Sequence, residues 1–493
     1  MKHAFVPRSA ATATAVLLGS ILFGCGAGGA ARPPGVAAPA SVERAVTGDA
    51  GGAATPPLEA APALPIPRPA LDAPAFVTST RYVEDLLSFG GSLWVATRGG
   101  LERYALDGFE HQYKYTTRDG LDSVRVVELA VSDGRVVART ERRRCVLDEA
   151  SFVCEPAGAL RPKPLFGDQF AGSRVTRRLD AGDVEVIGTA SKGAWVVPSK
   201  TSHALSKRAR RLTRDAQLLD GFVTSVAEHD GELYVGTFNG GLAVTESSPR
   251  AAAFETAEFR DLDGPRRINA LESTPHGLFV AAGEGLFVLS SGHEIERVQA
   301  VTARGVNGLA FDGRHLFVTA PGALFRVPLA RGSKPGTWWK PGGSRAVQGV
   351  ALAGTALWLA TEDRGAVRFD GTSFMTYDRA RGLPSSWVIS VDAHANGSVL
   401  LATLRDGVIA LGADGSYESL AGLPSPWALA VHVDGGGAWI GTQAGGVWAN
   451  GSGSTTALSP LPDPRVHSVL TLGEHVLLGT ELGLAVFPRR ADD

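Results

Sequence analysis

The stretch LYVGTFNGGLAV at residues 233–244 decides the fold, because it returns in nearly the same form elsewhere in the chain. LWVATRGGLERY at 93–104 and VLLGTELGLAVF at 476–487 show the same order of features. An apolar run ends in Gly-Thr or Ala-Thr, a tight turn containing glycine follows, and a second apolar run begins. Apolar runs of this length bounded by turn residues are typical of buried β-strands.

The repeat can be counted from the threonine, or its substitute, that ends the first of the two runs. Ten such positions follow one another at intervals of 38–49 residues. They are Thr97, Thr140, Thr189, Thr237, Ala282, Ala320, Thr361, Thr403, Thr442 and Thr480. Another apolar strand precedes each position, and a fourth strand-like segment follows all but the last. Four antiparallel strands in a period of about 40 residues are typical of a β-propeller blade.

The last repeat ends after its third strand, at GLAVFPRR (483–490). The segment AFVTSTR (75–81) can supply the missing outer strand, which would hide both sheet edges and close the ring. We therefore predict an all-β fold over residues 73–490, a β-propeller of four-stranded antiparallel blades with about ten repeats. One ring of ten is the first interpretation. A smaller ring of seven or eight blades with decorating repeats is the alternative, since known rings usually have four to eight blades.

The repeats resemble those of a known family. LWVATRGGL and LYVGTFNGGL, with the connectors YTTRDGLDSVRVVEL (115–129) and YDRARGLPSSWVISV (377–391), resemble the two-component regulator propeller family. The resemblance covers nearly all of residues 75–488 and is strong in only about half of the repeats. It implies an extracytoplasmic sensor region that binds ligands such as saccharides. The 493 residues hold no kinase or output domain, so we expect any signal to pass to a separate partner.

The N-terminus has the features of a bacterial lipoprotein signal. A short basic start is followed by an apolar run over residues 10–23, which is too short for a permanent membrane span. The run ends in Leu22-Phe23-Gly24-Cys25, which resembles a lipobox, although Phe23 stands where that pattern prefers a small residue. The resemblance implies a signal peptide over 1–24 and a lipid on the Cys25 sulfur. An ordinary secretory signal cut nearby is the alternative.

The segment after the cysteine is predicted to be a tether. Residues 25–72 are rich in Ala, Pro and Gly and cannot bury enough surface to offset the entropy of ordering. Gly26, rather than an aspartate, follows Cys25, and the lipoprotein resemblance therefore implies the outer membrane, on its periplasmic or surface face. The formal net charge of −2 argues against nucleic acid as a partner.

The remaining two cysteines lie close together in RRRCVLDEASFVCEP (142–156). If Glu149 and Ala150 form a two-residue hairpin turn, Cys145 lies opposite Cys154, within disulfide range. An exported protein meets an oxidising compartment, so we predict a Cys145–Cys154 disulfide. Two buried free thiols are the alternative. A zinc site is not expected, because no histidine or further cysteine is near in sequence.

The sequence carries no established catalytic motif. It has no His-Glu-x-x-His, no Gly-x-Ser-x-Gly, no phosphate-binding loop and no EF-hand-like acidic loop. The eleven histidines are scattered singly. His467 is the most notable, since it is expected near the mouth of the central channel. We expect no metal and no cofactor.

The candidate binding residues come just before the innermost strand of each blade, at what we call the rim position. Aligning the repeats on V-x-S-V puts four arginines and four aromatic residues there. They are Tyr82, Arg125, Arg174, Phe222, Arg267, Trp387, Trp427 and Arg465. Aromatic rings with convergent guanidinium groups suit stacking on sugars or peptide side chains and bonding to carboxylates. The alternative is that the tryptophans pack between blades and the arginines lie in water.

In several repeats a polar residue stands two positions after the rim residue. They are Glu84, Thr224, Asn269, Asn307, Gln348 and His467. A purely structural strand would be satisfied by valine at such a position, so we count His467 with the candidate rim.

These features predict an envelope lipoprotein whose propeller binds a glycan, peptide or protein partner on its loop-rich face without catalysis. One alternative is a propeller lyase or hydrolase acting on a polysaccharide or cyclic peptide, similar in repeat style to the streptogramin lyases. It would need a histidine and acidic metal ligands at the channel mouth, where only His467 and Glu84 come near. Another alternative is a structural subunit of an envelope assembly, contacted through its blade flanks.

Overall fold

Strands and short turns make up the part of the chain that the computed structural model describes. The described residues are 74–158, 160, 166–181, 184–198, 209–212, 218–245, 254, 257–290, 292–329, 336–339 and 347–489. The predicted signal peptide, Cys25 and the tether lie outside them. Among the described residues, no helix is long and apolar enough to cross a membrane.

In the described part of the chain, forty-one strands form ten antiparallel sheets, which are numbered here in chain order. Within nine of these sheets the strands lie side by side in chain order. Sheets 1–3 consist of β2 (Val83–Phe89), β3 (Ser92–Thr97), β4 (Gly100–Ala105), β5 (His111–Tyr115); β6 (Glu128–Ser132), β7 (Arg135–Arg139), β8 (Arg143–Asp148), β9 (Ser151–Pro156); and β10 (Gln169–Phe170), β11 (Ser173–Asp180), β12 (Val184–Thr189), β13 (Ala194–Pro198), β14 (Arg210–Arg211). Sheets 4–6 consist of β15 (Val223–His229), β16 (Glu232–Thr237), β17 (Leu242–Thr245), β18 (Phe259–Leu262); β19 (Ile268–Thr274), β20 (Gly277–Ala282), β21 (Gly285–Leu289), β22 (Ile295–Arg297); and β23 (Gly308–Phe311), β24 (His315–Ala320), β25 (Ala323–Pro328), β26 (Gly336–Trp339).

Sheets 7–9 consist of β27 (Val347–Ala353), β28 (Ala356–Thr361), β29 (Ala366–Phe369), β30 (Phe374–Tyr377); β31 (Val388–Ala393), β32 (Val399–Thr403), β33 (Val408–Leu411), β34 (Tyr417–Ser419); and β35 (Ala428–Asp434), β36 (Gly437–Thr442), β37 (Gly445–Asn450), β38 (Thr455–Leu458). Sheet 10 consists of β39 (Val466–Leu472), β40 (His475–Thr480), β41 (Gly483–Pro488) and, at its outer edge, β1 (Ala75–Val77). Within the described ranges, two 3₁₀ turns, Thr117–Asp119 and Arg379–Arg381, lie in the connectors. The predicted all-β fold of antiparallel sheets is confirmed; nine of these ten described sheets have four strands, and sheet 3 has five.

The threonine of the recurring phrase closes the turn between the second and third strands. The Thr237 hydroxyl donates to the Gly241 carbonyl at 3.0 Å, and the Thr480 hydroxyl donates to the Gly483 carbonyl at 2.7 Å. The same bond is made by Thr97, Thr189, Thr361, Thr403 and Thr442. Gly483 has φ 147°, a conformation that side chains other than glycine rarely adopt.

The small residue before the threonine makes room for the neighbouring sheet. A Cβ on Gly236 would lie 2.5 Å from Cγ2 of Ile268, which begins the innermost strand of sheet 5. A Cβ on Gly479 would lie 2.7 Å from Cγ1 of Val223 in sheet 4. Each Gly-Thr pair therefore serves both the turn of its own sheet and the packing against the next.

The contact between Gly479 and Val223 shows where the ring closes. The innermost strand of sheet 10 packs against that of sheet 4, and Val223, Val226, Leu470 and Leu477 share one core cluster. Sheets 4–10 therefore form a closed ring of seven. The ten repeats are confirmed as ten sheets, but the single ring of ten is wrong. The alternative interpretation, a smaller ring with additional repeats, is the correct one.

Sheets 1–3 form a second group beside this ring. The innermost strand of sheet 1 contacts those of sheets 2 and 3, so the spatial order is 3–1–2. A Cβ on Gly188 of sheet 3 would lie 2.6 Å from Cγ1 of Val83 in sheet 1, which repeats the packing seen in the ring. Because most sheets present a small residue and an apolar, usually β-branched, partner at these two positions, the repeat pattern counts sheets without fixing which ones are neighbours.

Two further predictions about pairing are confirmed. Ala75 pairs with Val486 and Val77 with Leu484, so β1 supplies the outer strand of sheet 10. Cys145 lies opposite Cys154, and the two sulfurs are bonded at 2.00 Å.

Candidate functional site

A short polar side chain fixes the backbone of several rim residues. The amide of Phe222 donates to Asp220 Oδ1 at 3.3 Å, and the amide of Arg465 donates to Asp463 Oδ1 at 2.9 Å. At three further rim positions a serine hydroxyl is the acceptor: the amides of Arg125, Trp387 and Trp427 donate to Ser123, Ser385 and Ser425, respectively. Side chains of this type commonly bond to the backbone two residues on. An Asp or Ser two residues ahead therefore orients the rim residue.

The residue two positions into most blades sits in a β-bulge, which turns its side chain away from the regular ladder. The register shift occurs at Thr224, Asn269 and His467, among others. Thr224 Oγ1 donates to the Ile268 carbonyl at 2.7 Å, and Asn269 Nδ2 donates to the Val306 carbonyl at 2.7 Å. These polar side chains bond each blade to the next, which gives them a structural role.

Trp387 and Trp427 lie on adjacent blades, sheets 8 and 9. Both are half-buried and pack on Ile389, Leu404 and Leu429, which are themselves buried. We call these five residues the Trp patch. Because the indoles rest on a rigid apolar base and keep part of their surface in solvent, they are arranged in advance for contact with a ligand.

A cavity of about 730 Å³ lies between the group of sheets 1–3 and the ring. Tyr82 and Phe222 line it, together with Arg81, Arg98 and Asp220. Ligand pockets in proteins commonly have volumes of about 300–1,000 Å³. The cavity is thus large enough for a small molecule or a short peptide.

The wall from sheet 1 holds a layer of arginine on tyrosine. The Arg98 guanidinium carbon lies 3.6 Å from the centroid of the Tyr82 ring, a cation–π contact. Arg98 Nε donates to Glu84 Oε1 at 3.1 Å, and Arg174 donates to the Tyr82 hydroxyl at 3.4 Å. Two predicted rim residues therefore meet here.

The ring side of the cavity is built around Phe222. Its ring centroid lies 5.1 Å from that of Phe238 and 4.7 Å from that of His467. His467 is buried and contacts Glu481 Oε1 at 3.2 Å, while Arg465 donates to Glu481 Oε2 at 2.7 Å. The three predicted residues Phe222, Arg465 and His467 are thus brought together.

Two carboxyl groups in the cavity, those of Asp261 and Asp220, have a raised pKa. Burial raises the pKa of Asp261, an effect that the nearby Arg81 guanidinium, 3.0 Å from Oδ2, partly offsets. Its Oδ1 is buried and has no hydrogen-bond partner among the described residues. Burial also raises the pKa of Asp220, although the amides of Phe222 and Asn239 donate to that carboxylate.

The structure divides the predicted rim residues among several places. Tyr82 and Phe222 line the cavity, and Arg174, Arg465 and His467 contact its lining residues. Trp387 and Trp427 form the Trp patch on another part of the ring. Arg125 bonds to Glu84 and Glu141, and Arg267 lies over the Phe238 ring. Ligand binding by all of these residues stays a prediction.

The arrangement bears on the enzyme alternative as well. Glu84 bonds to Arg98 and Arg125 in the group of sheets 1–3, whereas His467 bonds to Glu481 in sheet 10. Within the part of the chain that the structure describes, no contact joins Glu84 to His467.

Several residues of the cavity were missed by sequence reasoning. Asp220 carries a recognisable signal, since it stands two residues before a rim position, like Asp463 and Ser385. Arg81, Arg98 and Asp261 carry none, because they become neighbours only when sheets 1 and 3 meet the ring.

No protein-family model matches the chain, and no curated protein matches it. Solved structures do. The extracellular domain of a protein described as a one-component system from B. thetaiotaomicron matches with a TM-score of 0.44 and 12% identity, over 84% of this chain and 71% of that chain. The extracellular domain of a protein described as a hybrid two-component system, from the same organism, matches with a TM-score of 0.46 and 16% identity, over 82% of this chain and 56% of that chain. A catalytically inactive virginiamycin B lyase from Staphylococcus aureus, solved with quinupristin, matches with a TM-score of 0.43 and 10% identity, over 53% of this chain and 93% of that chain.

The chain is similar to extracellular domains of bacterial one- and two-component systems, and it spans 56% of the second of them.

Proposed function

We propose that the protein is an exported, lipid-anchored propeller that binds a glycan, peptide or protein partner in the cell envelope through the Trp patch, without catalysis. The observation that carries this proposal is the pair of half-exposed indoles at equivalent rim positions of adjacent blades. Both rest on the same buried aliphatic residues. Aromatic faces held in this way stack on sugar rings or peptide side chains at little cost in side-chain entropy.

The expected energetics follow from the geometry. Tryptophan is a common binding hot spot, and truncating such a residue costs about 2 kcal/mol or more of binding free energy. Loss of both indoles should therefore weaken binding at least about 30-fold, since each 1.4 kcal/mol corresponds to a factor of ten. The fold should survive, because the indoles lie above the blade core.

The test is a pull-down from detergent-solubilised envelope with the lipidated full chain. Wild-type protein is compared with Trp387→Ala/Trp427→Ala and with a control, Met375→Ala/Tyr417→Ala. Met375 and Tyr417 are exposed by 38% and 46% and lie on the outer strands β30 and β34. We expect a partner that the control retains and the tryptophan variant loses. A partner retained by both variants, or none with any of the three, would overturn the proposal.

A further inference from the structure

The cavity between sheets 1–3 and the ring has walls of unlike charge. Among the described residues, those that line the cavity from sheets 1 and 3 include Arg81 and Arg98 and no carboxylate. Those from the ring include four carboxylates and one guanidinium, Arg266. The described cationic groups therefore come mainly from one side of the cavity and the carboxylates from the ring side, where the Phe222 ring also lies.

Some of these charges have contacts within the protein that are already complete. Glu481 is bonded to Arg465 and His467, so it is not available to a ligand. Arg81 is bonded to Asp261 through Oδ2. These pairs hold the walls in place.

Other groups retain bonding capacity. Arg98 keeps 44% of its side chain exposed and, among the described residues, forms an ion pair with Glu84 through Nε. Asp261 keeps a buried Oδ1 without a partner among the described residues. Asp263 and Arg266 are exposed on the ring side of the cavity. An unpaired buried oxygen costs free energy that a donor from a ligand would recover.

We propose that this cavity binds a short peptide with free ends, its ammonium group facing Asp261 and Asp263 and its carboxylate facing Arg98. The Phe222 ring provides the apolar surface for a side chain. A zwitterion supplies a carboxylate to the exposed part of the Arg98 guanidinium and an ammonium group to the second oxygen of Asp261, whereas a neutral sugar supplies no charge to either. This site is separate from the Trp patch, so it does not rest on the proposed function.

The electrostatics of the wall favour an ammonium group. Burial raises the pKa of both Asp220 and Asp261, which means that each carboxylate has lost hydration without full compensation. A bound ammonium replaces part of that hydration. The Arg98 guanidinium can donate two parallel hydrogen bonds, which suits it to a terminal carboxylate.

The experiment uses end-blocked probes, so that the wild-type protein itself gives the answer. A pool of unmodified tripeptides is incubated with the full chain and the bound species are identified by native mass spectrometry. The same pool is then supplied N-acetylated, C-amidated, or blocked at both ends. Charge-assisted hydrogen bonds contribute about 1.5–3 kcal/mol, so blocking either end should weaken binding about 10- to 100-fold.

Matched variants assign each end to its wall. For the best-bound tripeptide, Asp261→Asn should bind the free and N-acetylated forms almost equally, and Arg98→Gln should do so for the free and C-amidated forms. Trp387→Ala/Trp427→Ala should bind the tripeptide like the wild type, which separates this site from the proposed function. No tripeptide retained at millimolar concentration, equal binding of blocked and free pools, or loss in the tryptophan variant would overturn the proposal.

Discussion

Closure of the ring between sheets 10 and 4 can be tested through the contact of Gly479 with Val223. In Gly479→Ala, the new methyl lies 2.7 Å from Val223 Cγ1 and also meets the Ser468 hydroxyl. Overpacking of this kind costs about 1–3 kcal/mol of unfolding free energy. Val223→Ala should cost about 2–3 kcal/mol, because a fully buried side chain loses two methyl groups and leaves a cavity.

The decisive quantity is the coupling between the two substitutions, measured by urea unfolding of both single variants and the double variant. In the double variant the new methyl occupies the space left by Val223, so the loss should be smaller than the sum by about 1 kcal/mol or more. The Ser468 contact is present with and without the valine and cancels in the cycle. Gly236→Ala with Ile268→Ala, across sheets 4 and 5, is the positive control.

The rival arrangement gives the opposite result. In a single ring of ten, sheet 10 would be followed by sheet 1, and Gly479 would pack on Val83 instead. Val83 lies against Gly188 of sheet 3 here, so Gly479→Ala and Val83→Ala should be additive within about 0.5 kcal/mol. Coupling of Gly479 to Val83, and none to Val223, would refute the ring of seven.

Three further predictions concern the fold and the cavity. Replacing both cysteines by alanine should lower the unfolding free energy by about 2–3 kcal/mol, since the disulfide joins residues nine apart. In a thermal melt, a reducing agent should lower the melting temperature of the wild type but not that of this variant. Thr361→Val should cost about 1–3 kcal/mol in urea unfolding, because Thr361 Oγ1 donates to Gly365 and accepts from Arg364; an equal loss in the exposed control Thr372→Val would contradict this. Burial raises the pKa of Asp220, so ionisation of this carboxyl group opposes folding. The unfolding free energy of the wild type relative to Asp220→Asn should therefore fall as the pH rises from 4 to 7. An increase in this difference over the same pH range would show that the surroundings favour the carboxylate.

Sequence reasoning was most successful where the physical signal is local. The Gly-Thr phrase reports a turn closed by a hydroxyl, as at Thr237, and each instance marks one sheet. The same holds for Cys145 and Cys154, whose pairing follows from a two-residue turn at Glu149 and Ala150. Such features depend on a few adjacent residues, so they can be read directly from the chain.

Arrangement at long range was harder to predict. Val223 and Val83 are both valines that begin an innermost strand, and nothing in their local sequence says which glycine will face them. For the same reason, the predicted rim was treated as one circle although it includes residues of two groups of sheets. The structural role of Asn269 and Thr224 has no local signal, because their acceptors are carbonyls of the next blade, which the sequence does not place.

The pairing of β1 with β41 also has a consequence for the order of events during folding. As the chain is synthesised, residues 75–77 emerge about 400 residues before their partners at 484–486. Joining segments some 400 residues apart in an unfolded chain carries a loop entropy of about 5 kcal/mol, so this pairing should wait for the intervening sheets. Until then the free edge of β41 can accept any extended strand. Refolding at high concentration should accordingly give intertwined dimers, in which the first strand of each molecule completes the last sheet of the other.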